Sequence, residues 1–95
     1  MKVRVEFLGL PMISERVGGT QVELDVSGRT VKDVVAELIR RYGRKVRDAF
    51  YDGEGHFDLM IQIALNGTVF ISPDRQDTPL KEGDHVLFML LLAGG

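Results

Sequence analysis

Apolar and polar residues alternate from the start of the chain: Val3, Val5 and Phe7 interleave with Lys2, Arg4 and Glu6. A period of two with one polar row predicts a strand with one face in water. Gly9, Pro11, Gly18 and Gly19 punctuate the next stretch and predict an irregular connection. Alternation returns where Val22, Leu24 and Val26 face Gln21, Glu23 and Asp25, a second strand expected to pair with the first as an antiparallel hairpin. The period then changes. Val31, Val34, Val35, Leu38, Ile39 and Tyr42 recur at helical spacing. Thr30 with Asp33 three residues on predicts a capped start, and Gly43 a stop. The β-branched residues of this helix are modest helix formers, so packing against a sheet has to hold it.

The stretch from Arg44 to Asp58 is less regular. Val46, Ala49 and Phe50 extend a short helical turn, and Asp52-Gly53-Glu54-Gly55 predicts a turn or mobile loop. Met60, Ile61, Ile63 and Leu65 then lead into Asn66-Gly67, a strong hairpin signal, from which Val69-Phe70-Ile71 return. Pro73 and Pro79 bracket a polar loop, and Leu80-Lys81-Glu82-Gly83-Asp84 turns the chain into a final apolar strand. The order is β-β-α-β-β-β. It predicts an α+β domain over residues 1–95, a mixed sheet of four to five strands with one main helix packed on one face. The expected core is Val3, Val5, Phe7, Val22, Leu24, Val35, Leu38, Ile39, Ile63, Leu65, Val86 and Phe88.

The end of the chain carries the functional signal. After Asp84 no charged side chain follows in His85-Val86-Leu87-Phe88-Met89-Leu90-Leu91-Leu92-Ala93-Gly94-Gly95, apart from the histidine. In a strand, Val86, Phe88 and Leu90 point one way and Leu87, Met89 and Leu91 the other. One helix covers one face of a sheet, so the second row is expected to be an exposed apolar patch that binds a partner. The plainer reading is that the 44–58 segment covers it. Gly94 and Gly95 are expected to form a flexible tail that, with Ala93, is thin enough to thread a narrow channel and bring the terminal carboxyl to another protein's active site.

Composition narrows the chemistry. The chain has 95 residues, a net charge of −2 and no cysteine. Thiolate nucleophiles, disulfides and cysteine-ligated zinc are excluded. The acidic residues show no metal-loop spacing, so no metal site is expected. The charge offers no broad basic field for nucleic acid or membrane; Arg40, Arg41, Arg44, Lys45 and Arg47 read as a solvated helix end. No signal peptide opens the sequence and no apolar run spans a bilayer, which points to the cytoplasm. His56 reads as a loop residue and His85 as a surface or edge residue. No serine sits in a nucleophile elbow. By elimination, the chemistry belongs to the terminus.

These motifs occur together in one family. Phe7-Leu8-Gly9, Thr30-Val31-Lys32-Asp33-Val34-Val35, Ala64-Leu65-Asn66-Gly67, Leu80-Lys81-Glu82-Gly83-Asp84-His85-Val86 and the tail Ala93-Gly94-Gly95 follow in order along nearly the whole chain. The sequence resembles the ubiquitin-like sulfur carriers of the MoaD/ThiS group, most closely the small subunit of molybdopterin synthase. The resemblance implies a β-grasp fold and a protein that is not catalytic alone. Gly95 would be adenylated with ATP by a ubiquitin-activating-like adenylyltransferase of the MoeB type. A sulfur donor protein would convert it to a thiocarboxylate. The large synthase subunit, of the MoaE type, would receive the tail and pass the sulfur to a pterin precursor. No cofactor is bound in this scheme; ATP is used by the activating partner. Family tails often carry prolines before the glycines, where this chain has Leu90 and Leu91.

Other functions compatible with the same tail are sulfur delivery to thiamin or transfer RNA, and protein modification through an isopeptide bond at Gly95. A binding module with incidental glycines is the reading from a different class.

Overall fold

A computed structural model describes residues 1–90. The first alternating stretch forms β1 (Lys2–Leu8), and the second forms β2 (Gln21–Asp25). They pair antiparallel, with Val3 opposite Leu24 and Val5 opposite Val22. The connection between them is not irregular as expected. It holds a short helix, α1 (Pro11–Val17), with Pro11 in its first turn and Gly18 left-handed at its end. Leu10, Ile13 and Val17 at spacings of three and four are its apolar stripe, and Ile13 is fully buried.

Helix α2 (Val31–Tyr42) is the main helix. Its start is a complete capping box. The Asp33 N–H donates to Thr30 Oγ1 at 3.3 Å, and the Thr30 N–H donates back to Asp33 Oδ2 at 3.1 Å. The Thr30 hydroxyl and the neighbouring amides hold the Asp33 carboxyl below its ordinary pKa. The polar loop between the prolines satisfies two more first-turn donors: Val31 N–H reaches Thr78 O at 3.2 Å and Lys32 N–H reaches Gln76 O at 2.9 Å. A third helix, α3 (Arg44–Phe50), follows directly after Gly43. Among the described residues, α2 is the expected main helix and two short helices accompany it.

The chain then forms β3 (Ile61–Leu65), β4 (Val69–Ile71) and β5 (His85–Leu90). Asn66 and Gly67 both have positive φ, 54° and 71°, and Thr68 N–H closes the turn on Leu65 O at 3.2 Å. The sheet order is β2-β1-β5-β3-β4. β5 lies at its centre, parallel to β1 and antiparallel to β3. This is the β-grasp fold, a five-stranded mixed sheet.

The helices lie on one side. Val31, Val34, Val35 and Leu38 of α2, Ile13 of α1, and Val46 and Phe50 of α3 join Val3, Val5, Phe7, Leu24, Ile61, Ile63, Val86 and Phe88 in one core. Phe88 is its centre, 5.0 Å edge-on to Phe50 and 6.3 Å from Phe7 between ring centroids. Of the expected core, Val22, Ile39 and Leu65 are partly buried against this cluster; the rest are buried.

Candidate functional site

The 44–58 segment packs on the helical side, through Val46 and Phe50, and among the described residues no helix covers the other face of the sheet. That face is laid out by strand register. Glu6, Leu87, Ala64 and Phe70 line up across β1, β5, β3 and β4. Leu8, Met89 and Gln62 form the next row toward the end of β5. Arg4 and His85 form the row at its beginning, with Glu23 beside Arg4 on β2. The face is therefore graded, polar where β5 starts and apolar where it ends.

Of the partner-binding residues expected from sequence, two fall on this gradient. Leu87 and Met89 lie on the open face and are half-buried. Leu91, Ala93, Gly94 and Gly95 lie outside the described residues. Leu90, the last described position, faces the core and packs against it.

Sequence reading missed most of the apolar rim. Phe70 is 70% exposed and Leu8 41%. Leu59 and Met60, 79% and 56% exposed, precede Ile61, which pairs with Leu90. They therefore sit at the same end of the sheet as the exit of β5. A groove of about 570 Å³ runs along the β3–β4 edge between Leu59, Ile63, Phe70 and Pro73. One signal was available for Leu8: it continues the polar row Lys2, Arg4, Glu6 with an apolar residue. The place of Leu59 and Met60 depends on the β3–β5 pairing and has no local signal.

The start of β5 is pinned by polar side chains. Asn66 Nδ2 donates to Asp84 Oδ1 at 3.0 Å, and His85 N–H donates to Asn66 Oδ1 at 2.8 Å. Asp84 is buried, and its second oxygen accepts Lys81 N–H at 2.8 Å. These bonds satisfy the carboxylate and fix both the turn and the strand. His85 opens the central strand, so it is on a face and not at an edge. Its Nε2 lies 3.0 Å from Glu6 Oε1, with the ring N–H not aimed well enough for a hydrogen bond. His56, Asp52 and Glu54 form a separate surface loop, where Asp52 Oδ1 accepts the His56 and Glu54 N–H groups and its pKa is lowered by them. Among the described residues no group of three His, Cys, Asp or Glu side chains is placed to hold a metal ion. Nor, among them, is any helix long and apolar enough to cross a membrane.

Residues 12–95 match the family model of the ThiS family. The chain belongs to the ThiS family. This is a family of ubiquitin-like sulfur carriers, as the motif order implied. No curated protein matches the chain by sequence. Among solved structures it is similar to SAMP1 from Haloferax volcanii, with a TM-score of 0.79 and 19% identity over 100% of both chains. A putative molybdopterin converting factor subunit 1 from Pyrococcus furiosus shares 26% identity at a TM-score of 0.68, over 97% of this chain and 99% of that one. CysO in its complex with BexX from Amycolatopsis orientalis has a TM-score of 0.70 and 20% identity, over 98% and 99%.

Proposed function

We propose that this ThiS-family protein carries sulfur on Gly95 for molybdenum or tungsten pterin cofactor synthesis in the cytoplasm. The observation that carries the reading is the family match, which runs through residue 95 and so takes in Gly94 and Gly95. The likeness to the Pyrococcus converting-factor subunit supports a pterin acceptor.

The chemistry follows from what a carboxylate lacks. It is a poor electrophile until one oxygen becomes a good leaving group. A Gly95 carboxylate oxygen attacks the α-phosphorus of ATP, and pyrophosphate leaves. The terminal sulfur of a donor persulfide then attacks the acyl carbon, and AMP leaves with its electron pair. A thiol cleaves the resulting acyl disulfide, is itself oxidised to a disulfide with the donor, and releases the thiocarboxylate. The partners supply ATP, acid, base and sulfur. This chain supplies the docking face, through Leu8, Leu87 and Met89, and a tail threaded at Ala93 and Gly94 with Leu91 as a further contact. The activating partner is an adenylyltransferase of the MoeB type, and the sulfur-receiving partner is the large molybdopterin synthase subunit of the MoaE type.

The test is intact-mass measurement after incubation with ATP, the host's adenylyltransferase and a persulfide donor. The expected change is one oxygen replaced by one sulfur, abolished by deletion of Gly95. Modification that survives the deletion refutes the assignment to Gly95. Conjugates of higher mass on a denaturing gel would instead identify a protein modifier. Loss of sulfur to a thiamin precursor or transfer RNA, with none to the pterin precursor, would move the acceptor.

A further inference from the structure

Gly9 follows β1 with φ +69°. The left-handed region is open to glycine and costly for other residues. A second property sets Gly9 apart from the other left-handed glycines. A Cβ placed on it would lie 2.6 Å from Leu90 O and 3.6 Å from the Leu90 carbonyl carbon. Both are backbone atoms of the last residue of β5, so no flexible side chain can yield. At Gly18, with φ +93°, a Cβ would meet nothing within 4 Å.

The register explains the contact. Leu8 pairs with Met89, so the next residue, Gly9, comes alongside Leu90. On the other side Leu90 pairs with Ile61. The Leu90 backbone is therefore held between Ile61 and Gly9, where β5 hands the chain on to residue 91. The same stretch of β1 and β5 carries Leu8, Leu87 and Met89 on the open face.

We propose that Gly9 is a positioning residue for activation of the tail: its bare Cα packs against the Leu90 carbonyl and fixes the origin of residues 91–95 relative to the docking face. The proposal rests on the carrier reading above. A carrier docked by its sheet has to deliver one carboxylate oxygen to the α-phosphorus of ATP. Its five remaining residues reach at most about 18 Å when extended. Widening a contact of 2.6 Å to the 3.4 Å of ordinary packing moves Gly9 or Leu90 by about 0.8 Å. A misplacement of about 1 Å can cost on the order of a hundredfold in rate when reacting groups must be aligned. Docking contacts on the open face need not change, so the effect belongs in kcat and not in KM.

The experiment measures pyrophosphate release by the host's adenylyltransferase with ATP, for the full chain and three variants. Gly9→Ala should lower kcat at least tenfold with KM for the carrier within twofold. Gly18→Ala imposes left-handed strain without the close contact and should change neither. Wild-type kcat in Gly9→Ala overturns the proposal, and so do a changed KM at constant kcat or equal losses in both alanine variants. Insertion of one glycine between Leu90 and Leu91 keeps every described residue and covers the case in which Gly9→Ala does not fold. It should also lower kcat at least tenfold; undiminished kcat shows that the tail needs no fixed origin and overturns the proposal. A wild-type protein that elicits no pyrophosphate release refutes the carrier reading and the proposal with it, whereas normal release from wild type and Gly9→Ala alike refutes the proposal alone.

Discussion

The two faces of β5 are built from the same kinds of residue and meet opposite surroundings. Val86 and Phe88 point into a core closed by three helices and are fully buried. Leu87 and Met89, one residue along, point to a face that no helix covers among the described residues, and stay half-buried. Hydrophobicity alone does not separate the rows. Their neighbours do: Phe88 meets Phe7 and Phe50, while Leu87 lies between Glu6 and Ala64. An apolar residue is buried or left open according to what the fold lays over it.

The largest expected effect tests the buried side. Phe88→Ala should cost about 3–5 kcal/mol of unfolding free energy, since it removes the ring shared by the aromatic cluster. Urea unfolding measures it, and a loss below about 1 kcal/mol would show that β5 does not organise the core.

Met89→Asp tests the open side. It places a carboxylate where a partner would have to desolvate it. Affinity for the adenylyltransferase or the large synthase subunit should fall at least tenfold, about 1.4 kcal/mol. Titration calorimetry beside a thermal melt separates the two roles. Undiminished affinity in a folded protein removes Met89 from the interface, and an unfolded protein assigns the row to the core.

The third prediction leaves both faces intact and loosens the helix layer that distinguishes them. Thr30→Ala breaks the capping box and should cost about 1 kcal/mol of stability with partner affinity unchanged. A coupled loss of affinity would mean that the helix layer and the open face are not independent.

The smallest effect belongs to the outer surface of α2. Glu37 accepts from Arg40 Nη2 at 2.5 Å and Arg41 Nε at 2.8 Å, and these guanidinium groups lower its pKa from 4.5 to about 2. A depressed folded-state pKa means the pairs stabilise the protein above the ordinary carboxylate range, and that their contribution fades as pH falls from 4.5 toward 2. Glu37→Gln should shift the urea midpoint less than Thr30→Ala does at neutral pH, because both arginine partners are exposed to solvent. The difference from wild type should shrink across that acid window. A constant difference down to pH 2 would contradict the pairing.

Much of this architecture is legible residue by residue. The alternation of β1 and β2, the helical stripe from Val31, the Thr30–Asp33 box and the Asn66-Gly67 turn are local patterns, and each reports its own backbone geometry. Helix α1 was hidden because seven residues between glycines show barely two turns, too few for a period to stand out against turn-forming residues. The open face was half visible: the second row of β5 could be read from parity, but its partners Leu8, Phe70 and Met60 are dispersed along the chain.

The sequence by itself determined which residues alternate, where the helix is capped and that no side-chain cluster for conventional catalysis is spelled out in a motif. Those properties depend on neighbours within a few positions, where backbone geometry and side-chain chemistry act directly. Only the tertiary structure decided that β5 is the central strand, that the 44–58 segment joins the helical side and leaves Leu87 and Met89 open, and that Gly9 lies against Leu90. Each of these depends on strand pairing or core packing between distant residues, up to some eighty positions apart for β1 and β5. Such pairing is chosen by how the whole core closes and not by any local pattern.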